Sequence, residues 1–233
     1  MKLSKSTRAV VTGAGGGLGR ELCLQLADRG AKICVTDLDI EAARATAQLA
    51  LKRGAGEARA LACDVSKKEQ LADLALELRG VLGGLDLLVN NAGVGVGGDF
   101  QRQDLDTWEW IMGINLWGVI YGCHHFYPLL KESGGAILNI GSSAGLANGP
   151  RMVSYNVTKA AVIALSETLA SEFDRSGVMA TVVCPTFFKT GMLENTRMLD
   201  PNLRKMATKA FEHSFSTAES VARASLRGVE RGS

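Results

Sequence analysis

Short apolar runs alternate with longer amphipathic stretches along most of the chain, and this rhythm most constrains the fold. Six runs, rich in Val, Ile and Leu, predict strands at residues 8–12, 32–36, 58–64, 85–90, 135–141 and 179–185. Strands that are apolar throughout are typical of a sheet covered on both faces. The stretches between them predict helices at residues 18–29, 40–53, 67–79, 107–130 and 153–176. We therefore expect an α/β fold with a doubly wound parallel sheet.

A single domain is expected to hold this pattern. The chain has 233 residues, and no Pro/Ser-rich linker, internal repeat or low-complexity tract divides it. Single α/β domains often reach this length. Residues 191–216 contain Met, Leu, Phe and charged residues but no strand pattern. We predict one domain over residues 1–233, with residues 191–216 as a helical segment that covers a binding site.

The charge balance argues against nucleic acid as a partner. The 26 Lys and Arg residues and 24 Asp and Glu residues leave a formal net charge of +2. The sequence contains no dense Lys/Arg block or basic stripe, which is the electrostatic footprint of nucleic-acid-binding proteins.

One segment requires a test for membrane insertion. Residues 110–130 form a run of 21 without Asp, Glu, Lys or Arg, which is long enough to span a bilayer. The run contains Asn115, His124, His125 and Pro128, which are costly in hydrocarbon. We therefore expect no membrane span. A helix buried between the sheet and a partner subunit would satisfy these residues, so we expect a homodimer or homotetramer.

The cysteines and histidines fit a reducing compartment and no metal site. The five cysteines show no C-x-x-C spacing and mostly lie in apolar runs, as small buried hydrophobes do. The three histidines form neither an H-E-x-x-H motif nor a zinc-ligand grouping with cysteine. The N-terminal stretch reaches glycines after a few apolar residues and lacks the core of a signal peptide. We expect a cytoplasmic location and no metal.

A glycine-rich stretch follows the first predicted strand. The sequence TGAGGGLG occupies residues 12–19 and leads into an amphipathic segment. Glycines at such a junction let the backbone approach a phosphate, and the helix N-terminus presents free N–H groups to it. A simple tight turn is the alternative, but the position after a first strand favours nucleotide binding.

Asp37 ends the second predicted strand, eighteen residues after Gly19. A carboxylate there accepts hydrogen bonds from both hydroxyls of an adenosine ribose and repels a 2′-phosphate. The alternative is that Asp37 caps the next helix. Between Gly13 and Gly17 there is no Lys or Arg that would neutralise a phosphate. Arg20 is the nearby cation, and its side chain is expected to point to solvent or to a pyrophosphate.

Tyr155 and Lys159 are four residues apart in the sequence SYNVTKAAV, where the chain turns apolar. At that spacing both side chains lie on one face of a helix, one turn apart. The two groups can therefore act together.

These motifs together resemble the short-chain dehydrogenases/reductases. The resemblance rests on TGAGGGLG, NNAG at residues 90–93, Asn115, NIGSSAG at residues 139–145 and YNVTK at residues 155–159. The motifs follow the family's order and cover about residues 5–231. The resemblance implies a three-layer αβα Rossmann fold, a nicotinamide cofactor, and oxidation or reduction at a carbinol or carbonyl carbon.

Four catalytic residues follow from the resemblance. Tyr155 moves a proton to or from the substrate oxygen, which requires its pKa to fall from about 10 toward the working pH. Lys159 supplies the charge that stabilises the phenolate, and Ser142, rather than Ser143, hydrogen-bonds the substrate oxygen. Asn115 bends its helix and holds a water linked to the lysine. The alternative role of Asn115, to join its helix to neighbouring backbone, is compatible with this one.

The resemblance also implies a set of residues around the cofactor. They are Gly13, Gly17, Leu18, Gly19, Asp37, Asp64, Val65, Asn91, Tyr155, Lys159, Pro185 and Thr190. Within this set Asp64 and Val65 are implied to lie at the adenine ring, and Thr190 at the carboxamide. Asp64 equally suits a cap for the helix predicted from Lys67.

Two further positions bear on the cofactor. Asn90 is implied to stabilise its strand near the cofactor. Thr186 stands where the family usually has a glycine after Pro185, and this restricts the backbone beside the nicotinamide. Since Asp37 favours an unphosphorylated ribose, NAD is expected rather than NADP.

Apolar residues around the presumed opening indicate a greasy substrate pocket. They are Val94, Val96, Leu146, Phe187, Phe188, Met192 and Leu193. We therefore expect an NAD(H)-dependent oxidoreductase that interconverts a secondary alcohol and a ketone or aldehyde on an apolar small molecule. One alternative is a catalytically silent nucleotide-sensing protein, which would have little reason to keep the four catalytic residues. A dehydratase or epimerase is the other, and it usually has a larger substrate domain.

Overall fold

Six parallel strands form the centre of the molecule. The computed structural model describes residues 1–186, 188, 195–212, 214 and 216–232. The strands are β1 (Arg8–Val11), β2 (Lys32–Asp37), β3 (Glu57–Ala62), β4 (Leu87–Asn90), β6 (Ala136–Ile140) and β7 (Met179–Val183). Their order in the sheet is β3-β2-β1-β4-β6-β7. The order reverses between β1 and β4, and such a switch point opens a ligand crevice at the carboxyl ends of the strands.

Helices cover both faces of this sheet. They are α1 (Gly17–Ala27), α2 (Ile40–Lys52), α3 (Lys68–Leu82), α4 (Leu105–Met112), α5 (Gly118–Ser133), α6 (Ala144–Ala147), α7 (Val153–Phe173), α8 (Pro201–Glu212) and α9 (Ala218–Arg231). One buried apolar cluster joins α1, α2 and α9 to the sheet, and a second joins α3, α5 and α7 to its opposite face. Val10 belongs to the second cluster and Val11 to the first, since successive side chains of a strand point to opposite faces.

The predicted fold class is confirmed, and the predicted strands fall on β1–β4, β6 and β7. The helix predicted over residues 107–130 is α4 and α5 with a π-helical turn, Gly113–Trp117, between them. Two strands were not predicted: β5 (Gly95–Gly97) and β8 (Thr196–Met198) pair in a separate parallel ladder. Each has only three residues, and β5 is Gly-Val-Gly, so neither shows an apolar period.

The uncharged segment at residues 110–130 does not form a candidate membrane span in the structure. Among the described residues, no helix combines the length and the apolar character that crossing a bilayer requires. Trp117, at the end of the π-helical turn, is 47% exposed, and Val157 on α7 is 44% exposed. These uncovered apolar side chains suit self-association, which stays a prediction.

Buried amides connect the central strands to α7. Asn90 Nδ2 donates to Asn139 Oδ1 at 2.8 Å, and Asn139 Nδ2 donates to Ser166 Oγ at 2.9 Å. Ser166 Oγ donates in turn to the carbonyl of Val162 at 2.6 Å. Asn90, Asn139 and Ser166 are all at most 4% exposed. The role implied for Asn90, to stabilise its strand, matches this network.

Asn139→Ala should lower the free energy of unfolding by roughly 2–4 kcal/mol, because it leaves two buried polar groups without their partner. Denaturant unfolding measures the change. The exposed Asn202 provides the control, since Asn202→Ala should stay within about 0.5 kcal/mol of the parent. Equal stability of the two variants would contradict a stabilising role for the network.

Candidate active site

A cleft of about 930 Å³ opens at the carboxyl ends of the strands. Its lining includes segments that follow β1, β2, β3, β4, β6 and β7, together with residues of α4 and α7. Gly13, Gly17, Leu18, Asp37, Asp64, Val65, Asn91, Ser142, Tyr155, Lys159 and Pro185 all line it. The structure therefore brings together most of the residues selected from the sequence. Gly19 and Asn115 are not on its surface, and Thr190 lies outside the described residues.

The glycine-rich turn packs too tightly for side chains. Gly13 has φ 62°, and a Cβ there would lie 2.7 Å from the Cα of Ala92. A Cβ on Gly19 would lie 2.5 Å from Asn91 Nδ2, which donates to the carbonyls of Thr12 and Gly13 at 2.8 and 3.0 Å. Gly19 and Asn91 thus shape the turn itself. Asn91 has a supporting role here in addition to its place in the cleft.

The N-terminus of α1 faces this cleft. Gly16 is its N-cap residue and, having no side chain, makes no capping hydrogen bond. A Cβ on Gly16 would meet no atom within 4 Å. First-turn N–H groups of a helix lack intrahelical partners and attract anions. The turn therefore presents an open, electropositive backbone surface that suits a phosphate group.

Asp37 lies beside the glycine-rich turn. Its Oδ2 accepts a hydrogen bond from Gly15 N at 2.7 Å, and its Oδ1 accepts one from Asp39 N at 3.0 Å. The capping alternative for Asp37 is wrong, because Asp39 caps α2 by accepting from the N–H groups of Glu41 and Ala42. Asp37 is therefore available to a ligand in the cleft.

Arg20 lies differently from the expectation that it points to solvent or a pyrophosphate. Its Nε donates to Thr46 Oγ1 at 3.0 Å, and its Nη2 donates to the carbonyl of Gly15. The guanidinium thus ties α1 to α2 behind the glycine-rich turn. The carbonyl of Gly15 and the hydroxyl of Thr46 hold this cation, a contact that sequence spacing does not reveal.

Asp64 and Val65 follow β3 at the edge of the cleft. Asp64 Oδ1 accepts from the backbone N–H and the hydroxyl of Ser66, at 2.9 and 2.7 Å. The capping alternative for Asp64 is also wrong. Lys67 is the N-cap residue of α3, and no side chain caps the helix there. The Asp64 carboxylate accepts from Ser66 instead.

Lys159 is the buried cation of the site. It is 4% exposed, and its Nζ donates to the carbonyl of Ile140 at 2.7 Å. Nζ lies 5.9 Å from the ring centroid of Tyr155. Burial lowers the pKa of Lys159 to about 8, while the neighbouring Cys184 thiol acts in the opposite direction. The protein thus holds this ammonium in a state from which it loses its proton more easily than in water.

The Ser142 side chain lies close to Tyr155. Ser142 follows β6, is 9% exposed, and its Oγ accepts from Ala144 N at 3.1 Å. Burial raises the pKa of Tyr155, and the neighbouring Ser142 hydroxyl acts in the opposite direction but is the smaller cause. The expected fall of the Tyr155 pKa is therefore wrong for the protein alone, because desolvation of the phenolate outweighs the polar contacts.

Asn115 sits in the π-helical turn and is fully buried. Its Oδ1 accepts from Val94 N at 2.8 Å, and its Nδ2 donates to the carbonyl of Val94 at 2.9 Å. Nδ2 also lies 3.3 Å from Thr158 Oγ1 on α7. This geometry matches the alternative role, in which the amide joins its helix to neighbouring backbone. A water held toward Lys159 stays a prediction.

The side chains of Asn115 and Lys159 both lie close to Gly93. A Cβ on Gly93 would lie 3.3 Å from Asn115 Oδ1 and 3.6 Å from Lys159 Nζ. A glycine at this position thus keeps the space between the two polar groups free. The missing side chain is a feature of the NNAG motif that the sequence analysis did not use.

Apolar residues line part of the cleft, but they differ in part from those selected from the sequence. Val94, Val96 and Phe188 line the cleft, whereas Leu146 is 64% exposed and does not. Phe187, Met192 and Leu193 lie outside the described residues. The sequence analysis missed Trp110, Ile114, Met152, Thr196 and Met198, which also line the cleft. Trp110 and Ile114 are four residues apart, and that helical spacing was the signal available for them.

Pro185 closes the end of the cleft beyond β7. Its carbonyl accepts a hydrogen bond from Ser143 N at 2.9 Å, and Thr186 lines the cleft beside it. The contact uses the Ser143 backbone, whereas the Ser142 side chain reaches Tyr155. Both serines line the cleft, and the choice of Ser142 over Ser143 stays a prediction.

The buried charge of Lys159 should give stability a particular pH dependence. A lysine that has a pKa of about 8 in the folded protein and about 10.4 when unfolded destabilises the fold fully below pH 8. This cost should disappear between pH 8 and 10, by about 1 kcal/mol per pH unit. Over that range the parent should therefore gain stability relative to Lys159→Met, as measured by urea unfolding at each pH.

The buried cysteines that do not interact with Lys159 cancel in this comparison, because both proteins contain them. Burial raises the pKa of the Cys63 and Cys123 thiols to about 11, so they lower stability equally in both proteins as the pH rises. A stability difference that stays constant from pH 7 to 10 would contradict the lowered pKa of Lys159.

Several known proteins are similar to this chain over most of its length. A family model described as short chain dehydrogenase matches residues 7–200. The CLA biosynthesis dehydrogenase/reductase of Lactiplantibacillus plantarum is 34% identical, over 82% of this chain and 68% of its own length. Epidermal retinol dehydrogenase 2 of Mus musculus is also 34% identical, over 83% of this chain and 64% of its own. At least one curated relative is much longer, and the chain spans only 32% of its length.

A solved structure is similar over nearly the whole chain. The crystal structure of a short chain dehydrogenase/reductase from Burkholderia phymatum in complex with NAD superimposes with a TM-score of 0.93 at 30% identity. The match covers 99% of this chain and 88% of the other.

Proposed function

This chain belongs to the short-chain dehydrogenase/reductase family, and from that premise we propose that it interconverts a secondary alcohol and a ketone or aldehyde with NAD(H). The observation that carries the proposal is the placement of Ser142, Tyr155 and Lys159 around one point of the cleft. A hydrogen-bond donor, a proton-transfer group and a buried cation are what reduction of a carbonyl requires.

The described residues fit a dinucleotide. The glycine-rich turn leaves open backbone at Gly16 and an uncapped helix N-terminus for a pyrophosphate. Asp37 follows β2, where an adenosine ribose would lie, with its carboxylate on the cleft. When bound, the nicotinamide group would accept or supply the hydride. The NAD complex of the Burkholderia phymatum relative supports the same assignment.

The protein's own residues would handle the proton and the oxygen. Ser142 Oγ and the Tyr155 hydroxyl would hold the substrate oxygen, and Tyr155 would donate a proton to it during reduction or take one during oxidation. Lys159 would favour the ionised form of Tyr155 by its charge. Burial raises the pKa of Tyr155 in the protein alone. Ionisation of Tyr155 would therefore depend on the positive charge of a bound oxidised nicotinamide.

An apolar substrate suits the remaining walls. Trp110, Ile114 and Met152 join Val94, Val96 and Phe188 on that side of the cleft. Within the described lining, the acidic residues are Asp37, Asp39 and Asp64, and all lie where the adenosine would bind. The relative named epidermal retinol dehydrogenase 2 supports an apolar alcohol as a substrate for this chain.

Tyr155→Phe should remove most turnover and leave NADH binding within about twofold, because the phenyl ring packs similarly but cannot transfer a proton. Turnover is followed by absorbance of the reduced cofactor with a panel of secondary alcohols and ketones. Tyr121, which stacks on Trp117 away from the cleft, provides the control variant Tyr121→Phe.

Three results of this experiment are decisive. Loss of turnover in Tyr155→Phe with a fully active Tyr121→Phe would support the proton-transfer role. Undiminished turnover in Tyr155→Phe would rule that role out. A parent that binds NADH tightly but turns over no alcohol or ketone of the panel would favour the alternative, a nucleotide-sensing protein without catalysis.

Asp37→Ala should weaken NAD binding roughly ten- to a hundredfold, because a charge-assisted hydrogen bond typically contributes about 1.5–3 kcal/mol. Its binding of NADP should change less, because removing the carboxylate also removes repulsion of the 2′-phosphate. Calorimetric titration of both cofactors measures the two affinities. Asp73→Ala removes an equal charge from an exposed position on α3 and should leave both unchanged. A parent that binds NADP as tightly as NAD would contradict the ribose role.

A further inference from the structure

The outer wall of the cleft is built from the two short strands that the sequence did not predict. In the parallel ladder Gly95 pairs with Thr196, and Gly97 pairs with Met198. All four residues line the cleft. Paired residues of neighbouring strands lie on the same face, so two side chains of β8 lie opposite two glycines of β5.

The glycines make room for those side chains. A Cβ on Gly95 would lie 2.5 Å from Thr196 Oγ1, and a Cβ on Gly97 would lie 2.6 Å from Met198 Sδ. Both distances are shorter than real carbon contacts allow. Met198 therefore lies flat against the bare backbone of β5 only because residue 97 has no side chain.

Several contacts hold β8 in this position. Leu199 N donates to the carbonyl of Gly97 at 2.8 Å, which continues the ladder beyond the paired residues. The Arg197 guanidinium lies 3.7 Å from the ring centroid of Trp110, a cation–π contact. Arg102 Nη1 lies 3.4 Å from the carbonyl of Leu199. These contacts together hold β8 against β5.

The wall begins next to the catalytic groups. Gly93, two residues before β5, lies between Asn115 and Lys159. A substrate whose oxygen is held by Ser142 and Tyr155 would therefore extend along β5 and meet the side chains of β8. A methionine side chain is unbranched and can change its conformation easily. The position of the Met198 side chain against β5 therefore sets how much cleft volume is open to a substrate.

We propose that Met198 determines the size of substrate that the cleft accepts, and that Gly97 permits this by leaving room for the thioether. The proposal rests on the proposed function and refines its substrate class to apolar ketones and alcohols that fit beside Met198. Thr196 is branched at Cβ, which restricts its side-chain conformation. Of these two side chains in the wall, Met198 is therefore the one that can change conformation.

Two substitutions at residue 198 should shift the size preference in opposite directions. The probes are methyl ketones with substituents from ethyl to naphthyl, reduced with NADH. Met198→Ala should raise kcat/KM for the largest ketone relative to the smallest by roughly tenfold or more, and Met198→Phe should lower it similarly. The Kd for NADH should stay within about twofold of the parent in both variants, since residue 198 lies outside the cofactor region.

Gly97→Ala tests the role of the glycine. The added methyl displaces Met198 from β5, so large ketones should lose turnover relative to small ones. The double variant Gly97→Ala/Met198→Ala removes the clash and should regain the preference of Met198→Ala alone. Gly80→Ala is the matched control, because a Cβ on Gly80 would meet no atom within 4 Å.

A readout without turnover separates this proposal from the proposed function. The increase in Tm that each ketone causes in the protein bound to oxidised NAD, which cannot reduce it, should follow the same order of sizes. If the parent protein reduces none of the ketones, the proposed function is overturned. The Tm series would still test whether Met198 sets the size of ligand that the cleft accepts. The proposal is overturned if the ratio of large to small ketones is unchanged in both residue-198 variants, by turnover and by Tm.

Discussion

The hydrogen bond from Lys159 Nζ to the carbonyl of Ile140 is the contact on which the site depends. Ile140 is the last residue of β6, so this bond fixes α7 against the end of a central strand. Tyr155 lies one turn before Lys159, and Ser142 follows Ile140 by two residues. One contact therefore sets the distance between the two groups that would share a substrate oxygen.

Holding a cation there has an energetic cost. Among the described residues no carboxylate forms an ion pair with Lys159, and an ammonium removed from water without one is expensive. The lowered pKa of Lys159 expresses that cost. The surrounding packing, including the amide network of Asn90 and Asn139, has to compensate for it. Such local destabilisation is typical of catalytic sites.

The fold and most of the site could be predicted from the sequence because their signals are local. Apolar strands and helical spacing are read over a few residues, and a parallel sheet then brings Asp37, Asp64 and Ser142 to one edge. The β5–β8 ladder could not be predicted, since its partners are about 100 residues apart and β5 consists mainly of glycine. The pKa of Tyr155 was also inaccessible, because it depends on burial, which only the packed structure shows.

Asp37 and Asp39 divide two tasks that a single carboxylate often has to combine. Asp39 starts α2, and Asp37 faces the cleft. A change at residue 37 therefore leaves the capping bonds of Asp39 to α2 intact, although it removes an acceptor from Gly15 N and from Asp39 N. A substitution at residue 37 can thus change ligand preference at this strand end while Asp39 keeps the bonds that start α2.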